Sequence, residues 1–224
     1  MHLKRVAAPK SWPIRRKERK YTIRQNPGPY SYKESVPLGI VLRDILKVTL
    51  TKREAKRALH ERKIKVNGIV RASLKFPLGL FDIISFADRN YRMLIDSRGK
   101  FFLGQIAGGE LLKPSKITGK NAVSGKKIQI TLNDSRTLLL GKSEHKVGDT
   151  LIFSIPGNEV KEALPFVKGS VILLTRGNHT GEVGKVKDIA GSKIIYEIPE
   201  KGIFETKKGN AFVVGKEKPI IEIK

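Results

Sequence analysis

Lys52, Arg53, Lys56 and Arg57 crowd one short stretch of this chain, at helical spacing. Like charges at i and i+4 cost an isolated helix roughly 0.2–0.5 kcal/mol per pair, so such an array suits a polyanionic partner. Arg62, Lys63, Lys65 and Arg71 extend the same patch, and Asn67 sits among them in a turn whose geometry explains it first. Arg43 belongs to the patch only in part, because Asp44 is its neighbour and an internal ion pair competes with a phosphate. A second group, Arg176, Asn178 and His179, occupies a glycine-rich loop where structure gives these side chains no obvious task, although His179 equally suits a packed loop residue, and Lys185 follows it. A third group lies near the N-terminus, where Lys4, Arg5, Lys10, Arg15 and Arg16 surround Trp12. Cations mixed with aromatics bind single-stranded nucleic acid by phosphate contact and base stacking.

Other chemistries fail on spacing. Gly141-Lys142-Ser143 imitates the end of a phosphate-binding loop, but the first glycine would fall at position 136, which is Arg136. His2, His60, His145 and His179 are scattered without metal-ligand spacing, and the chain has no cysteine. Carboxylates occur singly, mostly beside basic residues, so no acid–base pair stands out. The expectation is a non-enzyme with no cofactor. The composition agrees: 45 Lys and Arg against 21 Asp and Glu give a net charge of +24. Such a balance speaks of partners, and nucleic acid leads because phosphates recruit cations in numbers. No apolar run approaches the ~20 residues that span a bilayer, and the basic N-terminus lacks an apolar signal core. A soluble, intracellular protein is expected.

The elements that position these groups can be sketched. Residues 1–36 are interrupted by Pro9, Pro13, Pro27 and Pro29 and are poor in apolar residues. They read as an extended basic arm that orders on RNA, with Trp12, Tyr21, Tyr30 and Tyr32 free to stack on bases or pack against a neighbour. Residues 37–98 read as a module of two helices and a hairpin. Leu38, Val41, Leu42, Ile45 and Leu46 form one helical stripe. Thr51 with Glu54 is a capping box, with Leu50 and Ala55 placed for a hydrophobic staple. Asn67-Gly68 suits a type I′ turn, and residues 81–86 and 91–95 complete a small sheet.

Residues 99–167 read as a small all-β domain, with strands at 100–103, 126–132, 137–140 and 150–155. Turns are expected at Gly108-Gly109 and at Asn133-Asp134-Ser135, and a helical segment is conceivable at 160–164. Residues 168–224 read as a β-barrel of the SH3-like kind, with strands near 171–175, 184–189, 193–198 and 211–214 and a further one at 220–223. The fold class is therefore α+β and multi-domain.

Residues 38–71 resemble the small RNA-binding module shared by ribosomal proteins, pseudouridine synthases and tyrosyl-tRNA synthetases. Residues 169–189, with Gly181 and Gly184, resemble the KOW motif of ribosomal and transcription-elongation proteins. The opening run from His2-Leu3-Lys4-Arg5 to Ser11-Trp12 is similar to the start of the S-four-e family of archaeal and eukaryotic small-subunit ribosomal proteins. So are Pro37-Leu38 leading to Leu42-Arg43-Asp44, the Asn67-Gly68 hairpin followed by Arg71, and the loop from Arg176 to Gly181. The resemblance spans essentially the whole chain in order, and it implies an archaeal source. It also implies a structural role in a cytoplasmic ribosome, with small-subunit ribosomal RNA and neighbouring ribosomal proteins as partners and no membrane or small-molecule substrate. An RNA-modifying enzyme and a KOW-type transcription factor are the alternatives that share these modules.

Overall fold

The computed structural model describes residues 3–87, 89–106, 111–141, 143–199 and 201–223. Two compact units result, Met1–Ile95 with Lys100–Leu111, and Asp96–Gly99 with Leu112–Lys224. The chain is mostly β, with short helices. Among the described residues no helix is long and apolar enough to cross a membrane.

In the first unit the apolar stripe forms a helix that changes pitch. Leu38–Ile40 is α-helical and Val41–Ile45 is a π-helical turn (together α1). The Leu46 N–H accordingly donates to the Val41 carbonyl at 2.8 Å. The wider turn leaves Ile45 and Leu46 only partly buried, while Leu38, Val41 and Leu42 are sealed in the core. Helix α2 (Lys52–His60) opens with the expected capping box, the Glu54 N–H donating to Thr51 Oγ1 at 3.2 Å. The expected staple is not formed. Leu50 is 80% exposed, because its N–H is drawn to Glu54 Oε2 at 2.8 Å and the side chain is left in solvent.

Five strands follow: β1 (Ile64–Val66), β2 (Ile69–Val70), β3 (Ile83–Phe86), β4 (Arg89–Ile95) and β5 (Phe101–Ile106). They pair antiparallel in the order β2-β1-β3-β4-β5. Asn67 (φ 50°) and Gly68 (φ 79°) make the two-residue turn between β1 and β2, so Val66 faces Ile69. The strand expected at 100–103 is thus present, in this first sheet.

The N-terminal residues are packed rather than extended. Leu3–Lys4 pairs with Tyr21–Thr22, and Ser35–Pro37 pairs with Pro77–Gly79. Trp12, expected on a stacking surface, is 1% exposed in the core beside Ala8, Ile23 and Val36. Its indole N–H donates to the Ser35 carbonyl at 2.7 Å. Tyr30 is buried too, and its hydroxyl donates to Asp82 Oδ1 at 2.8 Å. Composition alone misleads here, because a few large aromatics seated on a preformed core replace the many small apolar residues that a free-standing core requires.

The second unit holds two further five-stranded sheets. The first contains β6 (Leu111–Val123), β7 (Lys127–Leu132), β8 (Thr137–Leu140), β9 (Thr150–Ile155) and β10 (Val160–Leu164), in the order β8-β7-β6-β9-β10. The conceivable helix at 160–164 is therefore a strand, fixed by its ladder to β9. The expected Gly108-Gly109 turn lies outside the described residues. The second sheet contains β11 (Val171–Leu174), β12 (Val183–Ala190), β13 (Lys193–Ile198), β14 (Gly202–Lys207) and β15 (Ala211–Gly215), in the order β14-β13-β12-β11-β15. Each sheet is open in its hydrogen-bond order. Residues 220–223 add no strand; a single bridge between Gly215 and Pro219 precedes them, and Ile221 and Ile223 are buried. Ile152, Leu164 and Phe166 share one core with Ile172, Val186, Ile194 and Val213, which joins the two sheets.

Buried charge is the other fastening of this unit. Asp134, 5% exposed, accepts from Lys113 Nζ at 2.9 Å and from Arg136 Nε at 2.7 Å. Burial alone would raise its carboxyl, but the Lys113 ammonium and the Arg136 guanidinium outweigh it and hold the pKa at about 2. Lys116 Nζ donates to the carbonyls of Lys208, Gly209 and Ala211. Burial, and then the nearby Lys208, lower its ammonium to about 8.

Two outcomes are expected. Replacing Trp12 by Ala should cost roughly 3–5 kcal/mol of stability in urea titrations, the loss typical of a buried aromatic; a change within experimental error would place the N-terminal residues outside the cooperative core. A carboxyl whose folded pKa lies below its unfolded value stabilises above the unfolded value and loses that stabilisation as pH falls through the folded one. Asp134 should therefore contribute about 2 kcal/mol that disappears between about pH 4 and pH 2. The urea midpoint of Asp134→Asn should then vary less over that interval than the parent's.

Candidate nucleic-acid interface

The residues of the first patch divide by what holds them. Lys52, Arg53 and Lys56 are exposed on α2, and none has an ion pair among the described residues. Arg57 and Lys63 are exposed as well but share Glu61, at 3.2 and 2.8 Å. The Lys63 bond, then the Arg57 one, lower the Glu61 pKa. Surface pairs of this kind contribute about 0–1 kcal/mol, so both cations exchange partners readily. Arg62 and Lys65 are exposed. Asn67 is committed to the fold, its amide donating to Asp82 Oδ1 at 2.8 Å and accepting from the Ile83 N–H at 2.9 Å. Arg71 lies with its guanidinium 4.3 Å from the Phe76 ring centroid.

Arg43 and Arg5 belong to an internal network. Asp44 takes Arg43 at 2.7 Å and Arg5 at 3.4 Å, and Glu18 takes the other side of Arg5 at 3.3 Å. Arg5 is 2% exposed, so it is a fastening of the N-terminal residues and not a surface contact. Arg16 is likewise engaged, donating to the carbonyls of Val6, Ala8 and Pro9 at 2.9 Å each. Lys4, Lys10 and Arg15 remain exposed.

What gathers several cations is a groove of about 610 Å³. One wall is residues 21–24, another is Arg43 with Lys52 and Lys56, and the third is residues 72–75. Arg24 and Lys75 thus join the site although no local pattern marks them; sequence separation hides them, since the groove forms only when the N-terminal residues fold back. Among the described residues no acidic side chain lines it. Lys75, like Lys52 and Lys56, has no ion pair among the described residues.

In the second unit Arg176 and Asn178 are exposed, as is Lys185 on β12. His179 is half-buried, its Nδ1 3.3 Å from Glu182 Oε2 and its ring centroid 4.2 Å from that of Phe204. Lys201 also bonds Glu182. The loop needs its glycine: Gly181 has φ 80°, and a Cβ there would lie 2.5 Å from the Asp96 carbonyl.

A strongly basic, mostly β chain with several acids committed to internal networks and many exposed lysines has the makeup of a ribosomal protein. It belongs to the S4e family of ribosomal proteins, which are structural proteins and not enzymes. Residues 87–160 match the model described as Ribosomal family S4e, and residues 1–32 match the RS4NT (NUC023) domain. The chain is 39% identical over 229 residues to the small ribosomal subunit protein eS4 of Methanocella arvoryzae, covering 99% of this chain and 97% of that one. It is 37% identical over 234 residues to the protein of the same name from Archaeoglobus fulgidus, covering 100% and 98%. The crystal structure of the 30S ribosomal protein S4e from Thermoplasma acidophilum superposes with a TM-score of 0.72 at 29% identity, covering 82% of this chain and 96% of that one.

The division between fastened and free cations has a measurable consequence. Replacing Lys52 and Lys56 together by Ala should leave stability within about 0.5 kcal/mol. Asp44→Asn should cost roughly 3 kcal/mol, because it strips a partner from the buried Arg5. Thermal or urea unfolding of the two variants distinguishes them, and equal losses would contradict the division.

Proposed function

We propose that this chain is a structural constituent of the small ribosomal subunit that binds ribosomal RNA through its basic surfaces and so supports translation in the cytoplasm. The observation that carries the reading is the trio Lys52, Lys56 and Lys75, gathered round one groove with neither a lining acid nor an ion pair among the described residues. Family membership supports it, since the archaeal relatives are named small ribosomal subunit proteins. RNA phosphates meet the exposed cations of α2, the β1–β2 hairpin and the N-terminal residues, and neighbouring ribosomal proteins complete the partners. Neither a membrane nor a small-molecule substrate has a part. The loop from Arg176 to Gly181 acts as the KOW element of a C-terminal SH3-like unit, with Arg176, Asn178 and Lys185 directed at RNA. In this reading residues 1–36, 37–98, 99–167 and 168–224 are the functional divisions.

Affinity built from about 6–10 phosphate contacts should fall ~10³–10⁵-fold between roughly 50 and 200 mM salt. Titration of a small-subunit rRNA fragment with the full chain at several salt concentrations measures this directly, and a shallow slope would count against the mechanism. Sedimentation of cell lysate at low salt adds the cellular test, in which the chain should travel with the small-subunit peak.

A further inference from the structure

The groove of the first unit has features that a flat phosphate-binding face does not need. Its interior is apolar where Ile23 and Leu74 come together, both almost fully buried. These two pack so closely over α1 that a Cβ on Gly39 would meet Ile23 Cδ1 at 2.6 Å and Leu74 Cδ2 at 3.1 Å. Tyr21 stands at the edge, 46% exposed.

The walls are also fixed before any ligand arrives. The Gly39 N–H donates to the Leu74 carbonyl at 2.8 Å and the Asn26 N–H to the Lys75 carbonyl at 2.9 Å. The ladder of Leu3–Lys4 with Tyr21–Thr22 holds the remaining side. A rigid cavity loses little freedom on binding, and about 610 Å³ falls within the ~300–1,000 Å³ span of sites that enclose small molecules. An apolar interior, one aromatic side chain and a rim of lysines match two parts of a single nucleotide: base face and phosphates.

We propose that this groove receives one unpaired nucleotide extruded from the bound RNA, its base against Tyr21 and its flanking phosphates on Lys52, Lys56 and Lys75. The proposal rests on the RNA-binding reading and adds selectivity to it. Stacked duplex keeps its bases inside the helix and offers this cavity nothing; a bulge or loop can fill it.

The test uses the full chain and three RNA hairpins: fully paired, with one bulged adenosine, and with an abasic residue in place of that adenosine. The bulged hairpin should bind about tenfold more tightly than both others, the gain expected of one stacked base. Tyr21→Ala should abolish that preference while the melting temperature stays in place, and Lys185→Ala should keep the preference. Equal affinities for the three hairpins, or a preference that survives Tyr21→Ala, would overturn the proposal yet leave general RNA binding intact. Failure of every hairpin to bind at low salt would overturn both readings. Adenosine 5′-monophosphate competing efficiently with the bulged hairpin would make the groove a free-nucleotide site and so refute its assignment to RNA.

Discussion

Self-repulsion among 45 Lys and Arg side chains, opposed by 21 acids, is the constraint against which this chain folds. The acids meet it by position more than by number. Asp44 takes two arginines at once, Asp134 takes Lys113 and Arg136, and Asp82 accepts from Tyr30, Asn67 and the Gly79 N–H. Breaking such buried arrangements costs roughly 3–5 kcal/mol, against about 0–1 kcal/mol for an exposed pair. Acids placed inside are therefore worth more to the fold than acids spread over the surface. The consequence is an outer face on which Lys52, Arg53 and Lys56 stand without an ion pair among the described residues.

The same device governs the N-terminal residues. Arg5 is held between Glu18 and Asp44, and Trp12 is sealed by the Ser35 carbonyl and the edge of Tyr32, 5.5 Å away between centroids. Fastened at these points, the segment is positioned to lay residues 21–24 against the helices. The wall containing Tyr21 and Arg24 is thus a product of core packing, although the residues that form it belong to a segment with the composition of a disordered tail. Stability and site are not separable here, since loosening Arg5 or Trp12 would also dismantle the groove.

Elements whose determinants are local were legible in the sequence. The Thr51 capping box starts α2, the Asn67-Gly68 turn sets the hairpin register, and the alternating strands from Thr150 and Lys193 lie where their patterns put them. Elements decided by distant partners were not. Pro114 and Gly119 interrupt the pattern of β6, yet Leu111–Val123 forms the longest strand described, because β7 pairs with one part of it and β9 lies along it on the other side. Val160–Leu164 carries a sequence compatible with a helical turn and becomes a strand through its ladder with β9. Of the candidate site residues, Lys52, Arg53, Lys56 and Arg57 on α2 and Lys65 on β1 are on the surface. Trp12, Arg5 and Asn67 are committed internally, because partners 23, 39 and 15 residues away leave no trace in local spacing.

These commitments give the cations two kinds of geometry. Those of α2 sit at the ends of long side chains on an exposed helix face, so in the proposed role they would meet phosphates at many registers with little penalty. That would supply affinity but little discrimination. The groove differs because its walls are joined by backbone hydrogen bonds and its interior is set by Ile23 and Leu74 against Gly39. Shape there is determined by the core, so a ligand that does not fit cannot be accommodated by shifting a lysine. If the groove takes RNA as proposed, selectivity in this unit would reside where the N-terminal residues meet the helices, with the charge on α2 bringing the polyanion within reach of it.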